Sequence, residues 1–278
     1  MSKIKILSLI CIFLFSNVAI SQQGCSLYGE NINWKSSDLE IVPFPGNENF
    51  KNHFIDKAFL YSSIFEFTGL NQPFVAIIND FNKPNAFATS RSIIRRHHDS
   101  LVEIYTPENT LDHANGYAVF FGSNMLWKLA YPTEGDDLRT AEIGAVLAHE
   151  FAHILQFQAI NNADPADYFE IEKLRKALTP NKELMADMVA GWAMYKYGRK
   201  YSYNTPSTDM RNDLIRVLNR MYSLGDFEFN SSTHHGTPSQ RLEAFKKGYD
   251  LSRSNQGSDV RFIFVKAYNE YIYRIDNL

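Results

Sequence analysis

The sequence predicts a single α+β domain in which short strands come early and helices follow. Three observations carry that prediction. Before residue 122 the chain holds several short runs rich in β-branched and aromatic residues, separated by Gly, Pro and Asn. From residue 139 onward, apolar residues recur at helical spacing over long stretches. No internal repeat and no low-complexity linker separates the two regions.

The N-terminal residues read as a leader. Lys3 and Lys5 precede a nearly unbroken apolar run over 6–15, and Ala19-Ile20-Ser21 then offers a small–x–small pattern before Gln22. This is the layout of a secretory signal peptide over 1–21, so export to a periplasmic or secreted location is expected. The alternatives are a buried first helix or a membrane anchor, but the run is shorter than the roughly 20 residues that span a bilayer. No later run is apolar and long enough to span. Cys25 stands close to the expected new N-terminus. It is a candidate lipid-attachment residue, matched by Gly24 but not by Gln22.

Residues 22–50 are polar and mixed, with Pro43 and Pro45, and read as an N-terminal leader with room for one short strand. The single domain is expected over 51–278. Phe54, Ala58, Phe59, Tyr61 and Phe65 predict a first helix over 54–68, stopped by Gly69. PFVAII predicts a strand within 72–79, broken by Pro84. Further strands are expected over 87–94, 101–105 and 116–121, with Arg95-Arg96-His97-His98-Asp99 as a solvated turn. From Arg139, with Thr140 as cap, a helix is expected over 141–159. Helices over 168–178 (ended by Pro180), 182–197 (ended by Gly198), 209–224 and 238–250 (opened by Pro238) complete the reading.

Composition limits the function classes. With 45% hydrophobic and 21% charged residues the chain can bury a sizeable core, which argues against disorder. A net charge of −3 gives no basic excess for nucleic acid. With Cys11 in the leader, Cys25 is left without an intrachain partner.

The sharpest local feature is His149-Glu150-Phe151-Ala152-His153. Residues four apart share a helical face, so two imidazoles there can reach one ion. Zinc suits neutral imidazole and carboxylate ligands. Glu150 is rotated by about 100° from His149, so it need not ligate and can take a proton from an attacking water. A catalytic zinc usually has a third protein ligand. Glu183 and Asp187, again four apart, lie beside an apolar stripe of Leu184, Met188 and Val189. Glu183 can ligate, and Asp187 can hold the outer nitrogen of a ligand imidazole. The plainer reading is an exposed acidic face, or a carboxylate placed at a helix N-terminus. Finally, His235 and Arg241 flank a helix start and can offer positive donors to the developing oxyanion. The plainer reading there is a polar loop and a surface arginine.

Taken in order, four blocks resemble the HtpX-like and CAAX prenyl protease-like gluzincin metallopeptidases. They are Asn85-Ala86-Phe87-Ala88-Thr89, the run EIGAVLAHEFAH from Glu142 to His153, ELMAD from Glu183 to Asp187, and the stretch from His235 to Arg241. The resemblance covers roughly residues 55–250. It implies a zincin-like domain of minigluzincin type. In that arrangement a small, mostly antiparallel sheet precedes an active-site helix and a glutamate helix. It implies Zn²⁺ held by His149, His153 and Glu183, with Glu150 as general base and Asp187 as the partner of His149. It also implies that Asn85, Ala86 and Phe87 border the substrate cleft and that His235 and Arg241 stand near it. The expected activity is that of an exported zinc metalloendopeptidase acting on proteins or peptides. The competing expectation is an envelope binding or chaperone-like protein whose metal site is structural or vestigial, in which His235 would close the coordination.

Overall fold

The computed structural model describes residues 40, 42–66, 68, 73–80, 86–89, 117–130, 136–161, 168–201 and 236–273. The expected signal peptide, Cys11, Cys25, the strand over 101–105 and the helix over 209–224 lie outside the described residues. Within them the protein is α+β and mostly helical, with a small three-stranded sheet.

Helix α1 is Glu48–Ser62, continued by a 3-10 turn at Ser63–Phe65. It starts earlier than the periodicity of its apolar residues indicates, because the Asn47 side chain caps it by accepting from Phe50 N at 2.9 Å. Part of the stretch read as leader therefore belongs to the domain. Strands β1 (Phe74–Ile78), β2 (Ala86–Thr89) and β3 (Ala118–Gly122) form the sheet in the order β1-β3-β2. Pairing of β2 with β3 is antiparallel, but β1 and β3 run parallel. The sheet is thus mixed among the described residues, with one parallel pair that a mostly antiparallel expectation did not include. A parallel pair needs a long crossover, and the chain between Ile78 and Ala118 is long enough to provide it. Glu40 O accepts from Asn79 N at 2.8 Å and Val42 N donates to Ile77 O at 3.1 Å. These bonds lay the chain at 40–42 beside β1 in the opposite direction, which is the short strand-like piece expected in the leader. All five residues of β3 are buried, as befits a central strand covered on both faces.

Helix α2, Ser123–Ala130, follows β3 directly. Its N-terminus is capped from a distance. Asp80, just past β1, accepts at Oδ1 from Asn124 N (2.9 Å) and Asn124 Nδ2 (2.6 Å), and at Oδ2 from Met125 N (2.9 Å). Asp80→Ala is expected to lower stability by about 2 kcal/mol through loss of this cap. A thermal melt followed by circular dichroism should show the midpoint fall by roughly 4–8 °C; an unchanged midpoint would mean that the cap contributes nothing.

Helix α3, Asp136–Asn161, runs through the middle of the core. It packs on α1, the sheet and α5. Thr140 lies inside it rather than at its cap. Helix α4 is Tyr168–Lys176. Helix α5, Thr179–Tyr201, differs from expectation at both ends. Pro180 sits in its first turn, where a missing N–H is harmless, and Gly198 does not stop it. Helix α6 is Pro238–Ser254 and α7 is Val260–Tyr268, followed by a π-turn at Asn269–Tyr273. The run of α7 is rich in β-branched and aromatic residues, yet it is helical. Asp259 caps it by accepting from Phe262 N at 2.9 Å, and Val260, Ile263 and Ala267 bury one face.

Candidate metal centre

Two helices bring the chemistry together. On α3, His149 and His153 stand one turn apart, both buried, with Glu150 between them. On α5, Glu183 and Asp187 repeat that spacing and are also buried. The packing of α5 along α3 closes the distance between the two pairs. Nε2 of His149 and Nε2 of His153 are 3.0 Å apart. Glu183 Oε2 lies 3.3 Å from His149 Nε2, and Glu183 Oε1 lies 3.4 Å from His153 Nε2. The three residues form one buried group whose ligand atoms fall within 4.8 Å of one another, and this group can hold a metal ion. The exposed-acidic-face reading of Glu183 and Asp187 is thereby excluded.

The outer nitrogen of each imidazole is also engaged. His149 Nδ1 lies 2.9 Å from Asp187 Oδ1, as expected of Asp187. Arg241, from the first turn of α6, grips the same carboxylate, donating from Nε to Oδ2 at 2.7 Å and from Nη2 to Oδ1 at 2.9 Å. Burial would raise the Asp187 carboxyl, but the Arg241 guanidinium and then His149 outweigh it and hold it below the usual carboxylate range. An ionised Asp187 this close to Nδ1 favours the His149 proton on that nitrogen, with Nε2 as the lone pair. Arg241 reaches this position because a capping box fixes the start of α6. The Thr237 side chain accepts from Gln240 N, and Gln240 Oε1 accepts from Thr237 N.

His153 has a partner that the sequence reading missed. Its Nδ1 lies 3.0 Å from Gln156 Oε1, and Gln156 Nε2 donates to the Lys182 main-chain oxygen at 2.9 Å. A signal was present: Gln156 stands three residues beyond His153, on the neighbouring ridge of the same helix.

With Asp187 beside one Nδ1 and Gln156 Oε1 on the other, the two Nε2 atoms and a carboxylate turn toward one point. Arg241 Nη2 approaches from the side, 3.4 Å from His149 Nε2 and 3.5 Å from Glu183 Oε2. Arg241 supplies part of the positive charge beside these acceptors, and the two imidazoles and carboxylate, with ligand atoms within 4.8 Å of one another, are a donor set that fits a bound metal. Glu150 is fully buried, and neither of its carboxylate oxygens has a hydrogen-bond partner among the described residues.

The remaining expected site residues are placed as follows. Ala86 and Phe87 stand on β2, the edge strand of the three-stranded sheet, which touches α3. Their side chains are buried, with Phe87 against Phe120 at 5.3 Å between ring centres. It is the main chain of β2, not these side chains, that can border a cleft. Asn85 and His235 lie outside the described residues. Arg241 was expected to offer donors to a substrate. It is buried and donates two N–H groups to Asp187, the carboxylate beside His149 Nδ1.

Asp187→Asn is expected to weaken metal binding by about 10–100-fold, because the imidazole loses its anionic partner. Competition against a chromophoric chelator measures this directly; an unchanged dissociation constant would show that Asp187 serves the fold alone.

Compared with protein-family models, with curated proteins and with solved structures, the chain matches none of them.

Proposed function

We propose that this chain is an exported zinc-dependent metalloendopeptidase that hydrolyses peptide bonds in proteins or peptides. The observation that carries the reading is the buried convergence of His149, His153 and Glu183 beside a buried, partnerless Glu150. A donor set of two imidazoles and one carboxylate is that of a hydrolytic zinc site. Zinc bonds of 2.0–2.1 Å in tetrahedral geometry place ligand atoms roughly 3.3 Å apart, which the separations of 3.0, 3.3 and 3.4 Å support. When bound, the ion would polarise the scissile carbonyl and lower the pKa of an attacking water.

The chain's own residues supply the rest. Glu150 lies about 100° round the helix from His149 and about 60° from His153, so it flanks the ligand pair without competing for the ion. A carboxylate there receives the proton of the attacking water and passes it to the leaving amine. Asp187 and Gln156 hold the two imidazoles. The β2 edge offers main-chain groups along which an extended peptide can pair. The four-block resemblance to HtpX-like and CAAX prenyl protease-like gluzincins supports the same roles and a zincin-like fold. The N-terminal sequence supports export. No helix among the described residues is long and apolar enough to cross a membrane.

The test is metal content by mass spectrometry, joined to cleavage of a broad peptide library with and without chelator. One equivalent of zinc and chelator-sensitive internal cleavage are expected. Protein that holds no zinc, or that cleaves equally well after chelation, overturns the proposal. Protein that holds zinc but cleaves nothing favours the binding or chaperone-like reading.

A further inference from the structure

We infer that Gln156 is a positioning residue that sets the tautomer of His153 and couples it to the docking of the helix that delivers Glu183. A main-chain oxygen only accepts, so the atom of Gln156 facing Lys182 O at 2.9 Å is the amide nitrogen. The other amide atom, the carbonyl oxygen, therefore faces His153 Nδ1 at 3.0 Å. That oxygen also only accepts, so Nδ1 carries the proton. A neutral imidazole has one proton, which leaves Nε2 as a lone pair. This is the nitrogen that lies 3.0 Å from His149 Nε2 and 3.4 Å from Glu183 Oε1.

The orientation is over-determined by burial. Gln156 is 1% exposed and His153 fully buried, so water does not compete for either contact. Lys182 immediately precedes Glu183. One main-chain position on α5 thus fixes the amide, the amide fixes the imidazole, and the next residue contributes the carboxylate. The two ligand histidines are held by unlike devices. His149 is held by a carboxylate locked to Arg241, and His153 by a neutral amide locked to the backbone. An amide adds no charge of its own, so Gln156 orients His153 without adding a fourth carboxylate to a site that already contains Glu150, Glu183 and Asp187.

The tautomer stands apart from the proposed function; only its consequence for metal binding rests on that reading. Two measurements keep them distinguishable. The first is the imidazole ¹⁵N spectrum of metal-free protein labelled at histidine, with His153→Gln to assign the signals. The neutral Nδ1–H form is expected for His153 in wild type, and its loss or averaging in Gln156→Met. An Nε2–H form in wild type, or the same Nδ1–H form in Gln156→Met, overturns the inference whether or not the protein binds zinc. The second is zinc affinity by chelator competition, together with the visible spectrum of the cobalt-substituted protein. Gln156→Met should weaken binding by about 10–100-fold and change the cobalt spectrum. Gln156→Glu keeps an acceptor for Nδ1–H but loses the donor to Lys182 O, so it should retain the Nδ1–H form while still binding zinc more weakly than wild type. A merely structural Gln156 would lower the melting temperature of the variants while leaving affinity and spectrum unchanged, and that result also overturns it.

Discussion

Glu150→Gln is expected to lower kcat/KM for peptide hydrolysis by about 10²–10⁴-fold while the bound metal remains at one equivalent. The amide is nearly the same size as the carboxylate, so the packing around a fully buried side chain is preserved. Only the capacity to accept a proton is lost. The ligands His149, His153 and Glu183 are untouched, and so are Asp187 and Gln156 behind the two imidazoles. A neutral amide at this buried position carries no charge that burial could penalise. The metal-free variant is therefore expected to melt at or above the wild-type temperature. Loss of activity with retained metal and retained stability is the signature of a general base. Activity within a few-fold of wild type would remove Glu150 from that role, and loss of metal along with activity would make it a ligand instead.

The second large effect lies away from the chemistry. Gly248→Ala is expected to destabilise the protein by about 3 kcal/mol or more, because small-to-large changes in a packed interface are costly when no side chain can yield. A methyl group at Gly248 would stand 1.8 Å from Met188 O and 3.0 Å from Trp192 N. One at Gly191 would stand 2.0 Å from Phe245 O. Each glycine lies against the backbone of the other helix, so α5 and α6 meet main chain to main chain. Backbone cannot step aside as a flexible side chain would. The thermal midpoint should drop by roughly 6–12 °C, and Gly191→Ala should behave alike. The crossing also holds Arg241 on Asp187. Surviving folded protein should therefore bind metal more weakly, since moving α6 away loosens the grip on the carboxylate that orients His149. A midpoint within about 2 °C of wild type would mean that the helices do not need this close approach.

The two faces of the candidate site were legible because helical spacing is a local property. His149 with His153, and Glu183 with Asp187, each lie four residues apart, and any helix through them sets each pair on one face. The Asp187–His149 contact was likewise foreseeable once both helices faced one ion. Arg241 is legible as a residue near a helix start, but its contact with Asp187 is not, because nothing in the order of residues shows that α6 crosses α5 at two glycines. Gln156 was overlooked because glutamine at that position reads as an ordinary helix residue until Lys182 O is seen beside it.

Local chemistry also fixed the start of three helices. Asn47, Thr237 and Asp259 cap α1, α6 and α7 through bonds to residues three positions on. Where local signals compete, the rest of the fold chose between them. Pro180 can close one helix or open the next, and here α4 stops at Lys176 so that the proline opens α5. Gly198 is a stop signal only for a helix that ends in water; α5 is gripped by α3 and α6 and runs on to Tyr201.

The sequence by itself determined an α+β chain and a helix carrying His149, Glu150 and His153. It also determined a second helix presenting two carboxylates at matching spacing. Hydrophobic period, capping residues and i,i+4 geometry act over a few residues, so they can be read without the fold. Tertiary structure alone decided the parallel pairing of β1 with β3, the long-range cap from Asp80, the glycine-to-backbone crossing of α5 and α6, and the partners Arg241 and Gln156. Each of these joins residues far apart in the chain, or depends on a third residue that is. Their contacts arise from how whole elements pack, a quantity that no short window of residues contains.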